Sequence, residues 1–362
     1  MTKRRNGADP APRLEALQRR ALLHGATAAG AAAVLAATTR AASAATEMGP
    51  YPAHPRWKFV FVNHVTTNPF FVPTQYGIAD ACAFFGCEYQ WTGSEISNAA
   101  EMVNAMNTAI AAKADGIAVC LVDPKAFNGP TDRALKAGIP VFSYNADVPP
   151  SKGNNRLAYV GQDLYQAGYL EGIRISKLID SGPVALMIAT PGQLNIQPRL
   201  DGARDAIKKF NPKIETTEVA TGPTTNEELS SMRAYYTGHK DVKGMFTVDG
   251  SNWVLGEVMK QFGLRKKGII AGGFDLIPKT LTAIDAGDLD FTIDQQPYLQ
   301  GFYTVMEMFM WKASGGLVGA GDIDTGLSFI TKHNVKPFLT TETRYEGSSI
   351  KQQIVPHTGS IL

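Results

Sequence analysis

The clearest fold signal in this chain lies in residues 116–144, which read GIAVCLVDPKAFNGPTDRALKAGIPVFSY. Residues 116–122 are apolar almost throughout, as expected of a strand that is covered on both faces of a sheet. Residues 127–137 then have a helical pattern, Gly138 acts as a helix stop, and residues 140–144 form a second strand-like run. This order of strand, helix and strand predicts a βαβ unit with parallel strands.

The same alternation continues on both sides of this unit. The predicted strands cover residues 57–63, 88–92, 116–122, 140–144, 157–161, 184–189, 214–220, 244–248, 269–274 and 290–293. The predicted helices cover residues 72–85, 98–113, 127–137, 164–179, 198–210, 227–237, 253–262, 278–286 and 298–313. Because these strands are too many for one comfortable sheet, we predict an α/β protein of two doubly wound parallel-sheet lobes.

Composition and charge narrow the class of protein. The chain has 362 residues, of which 44% are hydrophobic and 19% charged, so a large globular core is expected and collagen, coiled-coil and low-complexity classes are excluded. The formal net charge is +2, but residues 1–44 contain seven basic and two acidic residues, which leaves 28 basic and 31 acidic residues in the remainder. Such a mildly acidic protein lacks the basic surface that nucleic-acid binding requires, so no nucleic-acid partner is expected.

Residues 1–44 have the features of an export signal of the twin-arginine type. Arg19 and Arg20 precede an Ala-rich apolar stretch at residues 21–37, and a small-x-small cleavage site follows at residues 42–44. A plain secretory signal is the alternative, whereas 17 weakly apolar residues are fewer than the ~20 that a membrane anchor needs. We therefore expect an exported, soluble protein of the periplasm or the extracytoplasmic cell surface.

The three cysteines allow two interpretations. Cys82 and Cys87 are close enough in sequence to form a disulfide in an oxidising compartment, and Cys120 would then be left over. Alternatively, all three are small buried hydrophobic residues. No Cys or His spacing is typical of a metal site, so neither a metal nor a cofactor is expected.

Candidate binding residues are the polar and aromatic ones that directly follow the predicted strands, since open parallel sheets bind ligands at the carboxyl ends of their strands. They are His64, Asn68, Phe70, Phe71, Asp123, Asn145, Asp147, Gln162, Asp163, Gln193, Asn195, Arg199, Asp249, Asp275, Gln295 and Gln296. The set is rich in amides and acids, and it contains no nucleophile paired with a base. A binding site is therefore favoured over a catalytic one.

Six segments in register carry a family resemblance. They are Asn68-Pro69-Phe70-Phe71, Gly138-Ile139-Pro140-Val141 leading to Tyr144-Asn145, Arg199-Leu200-Asp201-Gly202, Thr247-Val248-Asp249, Gly273-Phe274-Asp275, and Thr292-Ile293-Asp294-Gln295-Gln296-Pro297. In these segments the chain resembles the periplasmic solute-binding proteins of the ribose-binding type, the type I periplasmic binding proteins that serve ABC sugar importers. The resemblance covers residues 57–340.

This resemblance implies two lobes joined by a three-segment hinge that closes on a small ligand. The crossings would lie near residues 161–162, 294–295 and 324–327. The N-terminal lobe would comprise residues 57–161 and 296–325, and the C-terminal lobe, with the tail, residues 162–294 and 326–362. The implied ligand-binding residues are His64, Asn68, Phe70, Phe71, Asn145, Gln162, Asn195, Arg199, Asp249, Asp275 and Gln295.

The chemistry of these residues suits a sugar or polyol. Carboxylates, amides and a guanidinium would bind hydroxyl groups, and Phe70 and Phe71 would be platforms for the carbon face. Where the ribose-binding pattern has Asp-Arg, this chain has Asn145-Ala146, and Asp249 replaces an Asn. An uncharged pentose or a C4–C6 alditol is therefore favoured over ribose. The expected partner is an ABC permease, and a monomer is expected.

Each candidate residue also has a structural interpretation. Phe70 and Phe71 could be core residues, and His64 a strand-end histidine. Asp249 and Asp275 could be helix N-caps, because each precedes a helix, and Arg199 could form a surface salt bridge. Trp91, Trp253 and Trp311 lie on apolar stripes and are predicted to serve packing.

Other functions are less well supported. An exported carbohydrate-active enzyme is disfavoured, because hydrolase, metalloprotease and phosphate-loop motifs are absent from the sequence. A transcriptional regulator would carry a helix-turn-helix where this chain has its leader. A receptor for an autoinducer-2-type or other small polyhydroxy ligand is the closest alternative.

Overall fold

The computed structural model describes residues 53–148, 151 and 153–340. The predicted signal peptide, residues 1–44, and the tail beyond residue 340 lie outside the described residues. No helix in the described part of the chain combines the length and the apolarity needed to cross a membrane.

Strands and helices alternate along the described chain. The first half contains β1 Lys58–Asn63, α1 Val72–Phe85, β2 Glu88–Gly93, α2 Ala99–Ala111, β3 Gly116–Val119, α3 Asn128–Lys136, β4 Val141–Tyr144 and β5 Tyr159–Gly161. The second half contains α4 Leu164–Leu178, β6 Gly182–Ile188, α5 Gln197–Phe210, β7 Ile214–Ala220, α6 Thr225–Gly238, β8 Gly244–Thr247, α7 Asn252–Phe262, β9 Ile270–Phe274, α8 Pro278–Ala286 and β10 Phe291–Asp294. Then follow α9 Pro297–Ala313, β11 Ile323–Asp324 and β12 Ser328–Thr331, and short 3-10 helices lie at Pro69–Phe71, Leu264–Lys267 and Lys336–Thr340.

The strands form two six-stranded sheets. The first sheet has the order β11-β5-β4-β3-β1-β2 and the second has the order β12-β10-β9-β8-β6-β7. All neighbouring strands pair in parallel except β10 and β12, which are antiparallel. The chain passes between the sheets after β5, after β10 and after β11. The predicted α/β fold of two parallel-sheet lobes joined by three segments is confirmed.

Helices cover both faces of the second sheet. Along β6, Val184, Leu186 and Ile188 pack in one apolar cluster with residues of α4 and α5. The alternate residues Ala185 and Met187 pack in another cluster, with residues of α6, α7 and α8. Because successive strand residues point to opposite faces, two separate cores form on one sheet.

The structure differs from the sequence prediction at some element ends. The predicted strand at residues 116–122 ends at Val119, and three residues later the N–H of Val122 turns back to the carbonyl of Cys120 (3.1 Å). Strands β11 and β12 were not predicted. The two residues of β11 are too short to show an alternating pattern, and its pairing with β5 is non-local.

The three cysteines are buried free thiols in the structure. Cys82 and Cys87 lie on either side of Gly86, which ends α1 with a left-handed φ of 67°, and the N–H of Cys87 bonds to the carbonyl of Cys82 (2.8 Å). This is a Schellman turn. Burial raises the pKa of Cys82 and of Cys120 to about 12, so both thiols are protonated at neutral pH.

Close contact between α1 and α9 depends on glycine in both helices. A Cβ added at Gly77 would lie 2.1 Å from the carbonyl oxygen of Tyr298, and one added at Gly301 would lie 2.2 Å from that of Thr74. Real Cβ atoms do not come this close to a backbone oxygen, so the helices would have to separate. The two backbones therefore approach each other only because both positions lack a side chain.

Gly301→Ala is expected to destabilise the protein by about 1–3 kcal/mol, because it overpacks this helix contact. Urea unfolding followed by circular dichroism measures the change. The matched control is Gly238→Ala at the end of α6, where an added Cβ meets nothing within 4 Å. This control substitution should leave the free energy of unfolding unchanged or raise it slightly, since Ala favours the helix more than Gly does. Equal effects of the two substitutions would contradict the close-contact explanation.

Candidate functional site

A cavity of about 210 Å³ lies between the two lobes at the carboxyl ends of their strands. Ten of the eleven predicted binding residues line it, and they come from both lobes. They are His64, Asn68, Phe70, Phe71, Asn145, Asn195, Arg199, Asp249, Asp275 and Gln295. Gln162 does not line this cavity.

The loop after β1 forms the wall in the first lobe. Asn63 ends the strand, and its Oδ1 accepts the N–H of Val65 (2.8 Å). Asn68 Oδ1 accepts the N–H of Phe70 (2.9 Å) and so caps the short 3-10 helix at Pro69–Phe71. The rings of Phe70 and Phe71 are buried, with centroids 4.7 Å apart and planes at 84°. Because they are nearly perpendicular, they cannot both lie flat against one face of a ligand.

His64 faces the cavity as a neutral imidazole, because burial lowers its pKa to about 3. Its Nε2 lies 3.3 Å from Asn195 Nδ2, which belongs to the second lobe. When Asn195 donates this hydrogen bond, the imidazole hydrogen lies on Nδ1. That Nδ1 and Asn195 Oδ1 are buried without a partner among the described residues. A donor and an acceptor thus remain available on a pair of side chains that joins the lobes.

Arg199 projects from the first turn of α5 and is buried, with 3% of its surface exposed. Its guanidinium lies over the ring of Phe274, 4.2 Å from the ring centroid, and donates to the carbonyl of Val248 (3.3 Å). Burial lowers the pKa of Arg199, and the nearby Asp275 opposes this effect. The alternative of a surface salt bridge is therefore wrong for this residue.

Gln162, also predicted to bind ligand, does not line the cavity, because its side chain lies behind Arg199. Its Oε1 accepts a hydrogen bond from Arg199 Nη2 (3.1 Å), and its Nε2 donates to the carbonyl of Gly326 (3.1 Å). Gly326 belongs to the third crossing between the lobes. Gln162 thus holds the guanidinium in place and ties it to the hinge.

Neither acid of the second lobe is a helix N-cap, so that alternative is also wrong. The N-cap residues of α7 and α8 are Ser251 and Ile277. Asp249 Oδ2 accepts the N–H of Ala189 (2.7 Å), and its Oδ1 accepts from the backbone N–H and the hydroxyl of Ser251. Asp249 thereby joins the loops that follow β6 and β8.

Asp275 has one oxygen committed to the protein, since Oδ1 accepts from Gln295 Nε2 (2.7 Å). Its backbone is left-handed, with φ of 78°. Burial raises its pKa to about 6, against the opposing effects of Arg199 and Gln295. Asp275 is therefore mostly ionised at neutral pH, and its Oδ2 makes no hydrogen bond to any described residue.

A chain of amides connects the two lobes beneath the cavity. Asn145 Nδ2 donates to Gln300 Oε1 (3.1 Å), and Gln300 Nε2 donates to Gln295 Oε1 (3.1 Å). Gln295 then donates to Asp275 as described above. Gln300 was not among the predicted residues, because a single amide within the apolar pattern of α9 carries no functional signal.

The loop at residues 190–196 of the second lobe contacts the first lobe. Ser97 Oγ donates to Gln193 Oε1 (2.8 Å), and Gln193 Nε2 donates to the carbonyl of Ser97 (3.3 Å). The N–H of Leu194 bonds to the carbonyl of Val122 (3.0 Å). The described structure thus has the lobes in direct contact at the cavity rim.

The cavity also contains residues that were not predicted to bind, among them Trp253 and Glu228. Trp253, predicted to serve packing, also lines the cavity, and the ammonium of Lys279 lies 4.1 Å from the centroid of its ring. Glu228 lines the cavity from α6. The position of Trp253 just after Asp249 was an available signal, whereas no pattern marked Glu228.

Within the described ranges, no cluster of three or more His, Cys, Asp or Glu residues could hold a metal ion.

Two similar lobes with a polar cavity between them define a hinged solute-binding protein. The sequence profile of the periplasmic binding protein domain matches residues 59–313, and the chain belongs to this family. The xylose/arabinose-binding protein XylF of Sulfolobus acidocaldarius is 50% identical over 325 residues, which cover 86% of this chain and 80% of that protein.

Solved structures have the same fold. An ABC transporter solute-binding protein from Burkholderia graminis, in complex with D-arabinose, has 26% identity and a TM-score of 0.73, over 78% of this chain and 98% of that one. A carbohydrate transporter from Acidothermus cellulolyticus, in complex with myo-inositol, has 23% identity and a TM-score of 0.71, over 80% of this chain and 99% of that one. The second likeness is one of fold alone.

A fully buried acid lies behind the site. Glu171 of α4 is 0% exposed, and neither of its carboxyl oxygens has a hydrogen-bond partner among the described residues. Burial holds its pKa well above the usual range. The positive charge of Arg199 opposes this effect, and Asp249 adds to it. Glu171 is therefore protonated in the folded protein at pH values where it would ionise in the unfolded chain.

This raised pKa should make the folded state less stable as pH rises. Below about pH 4 the Glu171 carboxyl is protonated in both the folded and the unfolded protein, so it does not affect stability. Above about pH 4, each pH unit favours the unfolded protein by about 1.4 kcal/mol, until the pKa of Glu171 in the folded protein is reached. Glu171→Gln is therefore expected to raise the free energy of unfolding at pH 7 but not at pH 4, as measured by urea titration. The exposed Glu215→Gln is the control and should change neither value. A Glu171→Gln variant with the pH dependence of the wild type would show that the Glu171 carboxyl does not titrate with a raised pKa.

Proposed function

We propose that this chain is the substrate-binding protein of an ABC transporter and captures a small neutral sugar, a pentose such as xylose or arabinose. The observation that carries the proposal is the convergence of acids, amides and one guanidinium from both lobes on a single small cavity. The family membership and the 50% identical xylose/arabinose-binding relative support the choice of ligand class.

The free polar atoms of the cavity suit hydroxyl groups, each of which can donate and accept. Asp275 Oδ2 and Asn195 Oδ1 would accept hydroxyl hydrogens, and His64 Nδ1–H would donate to a hydroxyl oxygen. The aromatic rings of Phe70 and Trp253 would contact the C–H surface of the sugar. Each buried polar group left unpaired costs about 1–3 kcal/mol, so a ligand that lacks the matching hydroxyl would bind more weakly.

Binding would proceed by hinge closure. The open form admits the sugar, and the closed form is favoured because only there do groups of both lobes contact it. The contacts between Ser97 and Gln193 and between His64 and Asn195 belong to this closed arrangement. The loaded protein would act outside the cytoplasm as a monomer and dock on a membrane permease, with release of the sugar unchanged.

Sugar binding should appear as a rise in melting temperature with D-xylose or D-arabinose, since a ligand at about 100 times its Kd stabilises the folded state by about 2.7 kcal/mol. Arg199→Ala and Asp275→Ala are expected to abolish this rise, measured against the melting temperature of each variant without sugar. Arg204→Ala is the matched control, because Arg204 lies on the same helix with 41% of its side chain exposed. The proposal fails if no pentose or alditol raises the melting temperature, or if a pentose is chemically converted.

The contact between Ser97 and Gln193 should contribute to affinity through closure. Loss of a hydrogen bond costs about 0.5–1.5 kcal/mol, so Ser97→Ala and Gln193→Ala should each raise the Kd about two- to tenfold. Because the two side chains share one contact, the double variant should bind about as well as the weaker single variant. Isothermal titration calorimetry measures these constants. Fully additive effects would show that the two residues act independently of a shared closure contact.

A further inference from the structure

One acidic residue of the cavity wall, Glu228, has a carboxyl group that accepts no hydrogen bond from any described residue. Glu228 is half-buried in α6 and lines the cavity together with Asp249 and Asp275. Both of those aspartates accept hydrogen bonds from protein groups. In the part of the chain that the structure describes, no group hydrogen-bonds to the carboxyl of Glu228. Its oxygens are therefore available to a guest in the cavity.

The neighbouring Glu227 shows why Glu228 faces inward. Glu227 belongs to the capping box of α6: its N–H bonds to Thr224 Oγ1 (3.4 Å), and its Oε2 accepts from Thr224 N (3.0 Å) and Oγ1 (2.6 Å). This cap fixes the first turn of the helix. Because the Glu227 side chain points to the cap at the surface, Glu228, the next residue of the helix, points towards the cavity.

The charges around Glu228 favour its neutral form. Asp249 faces it from the loop after β8, and Glu227 lies next to it on its own helix. The other charged groups of the cavity wall are Asp275 and Arg199, and His64 is neutral. Burial raises the pKa of Glu228 to about 8, and the negative charges of Asp249 and Glu227 add to this effect. Most molecules therefore carry a proton on Glu228 at pH 7.

A neutral carboxyl would add a hydrogen-bond donor to those that His64 and Arg199 bring to the cavity wall. Asn145 and Gln295 each donate an amide hydrogen to another protein side chain, Gln300 and Asp275 respectively. The two aspartates accept hydrogen bonds but, when ionised, cannot donate them. A sugar oxygen that needs a donor would find one in a protonated Glu228.

We propose that Glu228 contacts the bound sugar and, as a neutral carboxyl, donates a hydrogen bond to one of its oxygens. This inference rests on the proposed function of the cleft. It makes Glu228 a specificity-determining residue that ties sugar affinity to pH. Ionisation would remove the donated hydrogen and place a third negative charge beside Asp249 and Asp275.

The test is the Kd for D-xylose and D-arabinose, measured by isothermal titration calorimetry from about pH 6 to about pH 10. In the wild type, affinity should fall about tenfold between about pH 7 and pH 9, as the donor is lost. Asp275 and His64 have pKa values of about 6 and about 3, so their titration falls outside this window. Glu228→Gln keeps a donor that does not titrate, so its affinity should stay within about threefold of the neutral-pH wild type and show no fall.

Two further variants separate the donor from its surroundings. Glu228→Ala should bind about three- to tenfold more weakly at pH 7, with no fall at higher pH. Glu227→Gln removes one negative charge from the adjacent position and keeps the capping box, so its affinity should still fall as pH rises, with the fall displaced to lower pH than in the wild type. A wild-type profile without the fall, a fall that persists in Glu228→Gln, or an unchanged affinity in Glu228→Ala overturns this inference alone. A folded wild type that binds no pentose or alditol at any pH overturns the proposed function and this inference with it.

Discussion

Burial of the Arg199 guanidinium would be very costly without compensation, because an isolated charge loses its hydration inside a protein. The structure compensates it from several sides at once. The carbonyl of Val248 and the amide of Gln162 accept its hydrogens, the ring of Phe274 lies against its face, and Asp275 supplies negative charge. Through Gln162 the charge is also connected to Gly326, in a segment that joins the lobes. The position of one side chain on α5 thus depends on both the second sheet and the hinge.

The polar groups that hold the lobes together also form the wall of the cavity. Asn145, Gln300, Gln295 and Asp275 form one hydrogen-bonded series that begins in the first lobe and ends in the second. His64 and Asn195 form a second link across the rim. A guest that bonds to these groups therefore interacts with both lobes at once, which is the physical basis for coupling ligand occupancy to lobe position.

Sequence patterns were most informative where structure is local. Alternating strands and helices and the glycine stop at Gly138, which has a left-handed φ of 77°, follow from residues close together in the chain. The rule that ligands bind at the carboxyl ends of parallel strands then brought most candidate residues to one cavity. That rule locates the residue along the strand but not the direction of its side chain, and Gln162, which follows β5, points behind Arg199 and not into the cavity. Glu228 and Gln300 belong to helices, where the side that meets the cavity depends on how the helix packs.

The amino-acid sequence by itself determined the two-lobed α/β architecture, because hydrophobic periodicity and turn residues act over a few residues and repeat along the chain. It also determined the polar, amide-rich character of the strand ends. Only the tertiary structure decided which of those side chains contact each other and which lie behind the cavity wall and hydrogen-bond to its residues. It also decided which acid has no hydrogen-bond partner among the described residues. These outcomes depend on burial and on contacts between residues far apart in sequence, such as Asn145 with Gln300 or Glu228 with Asp249, and no local pattern records them.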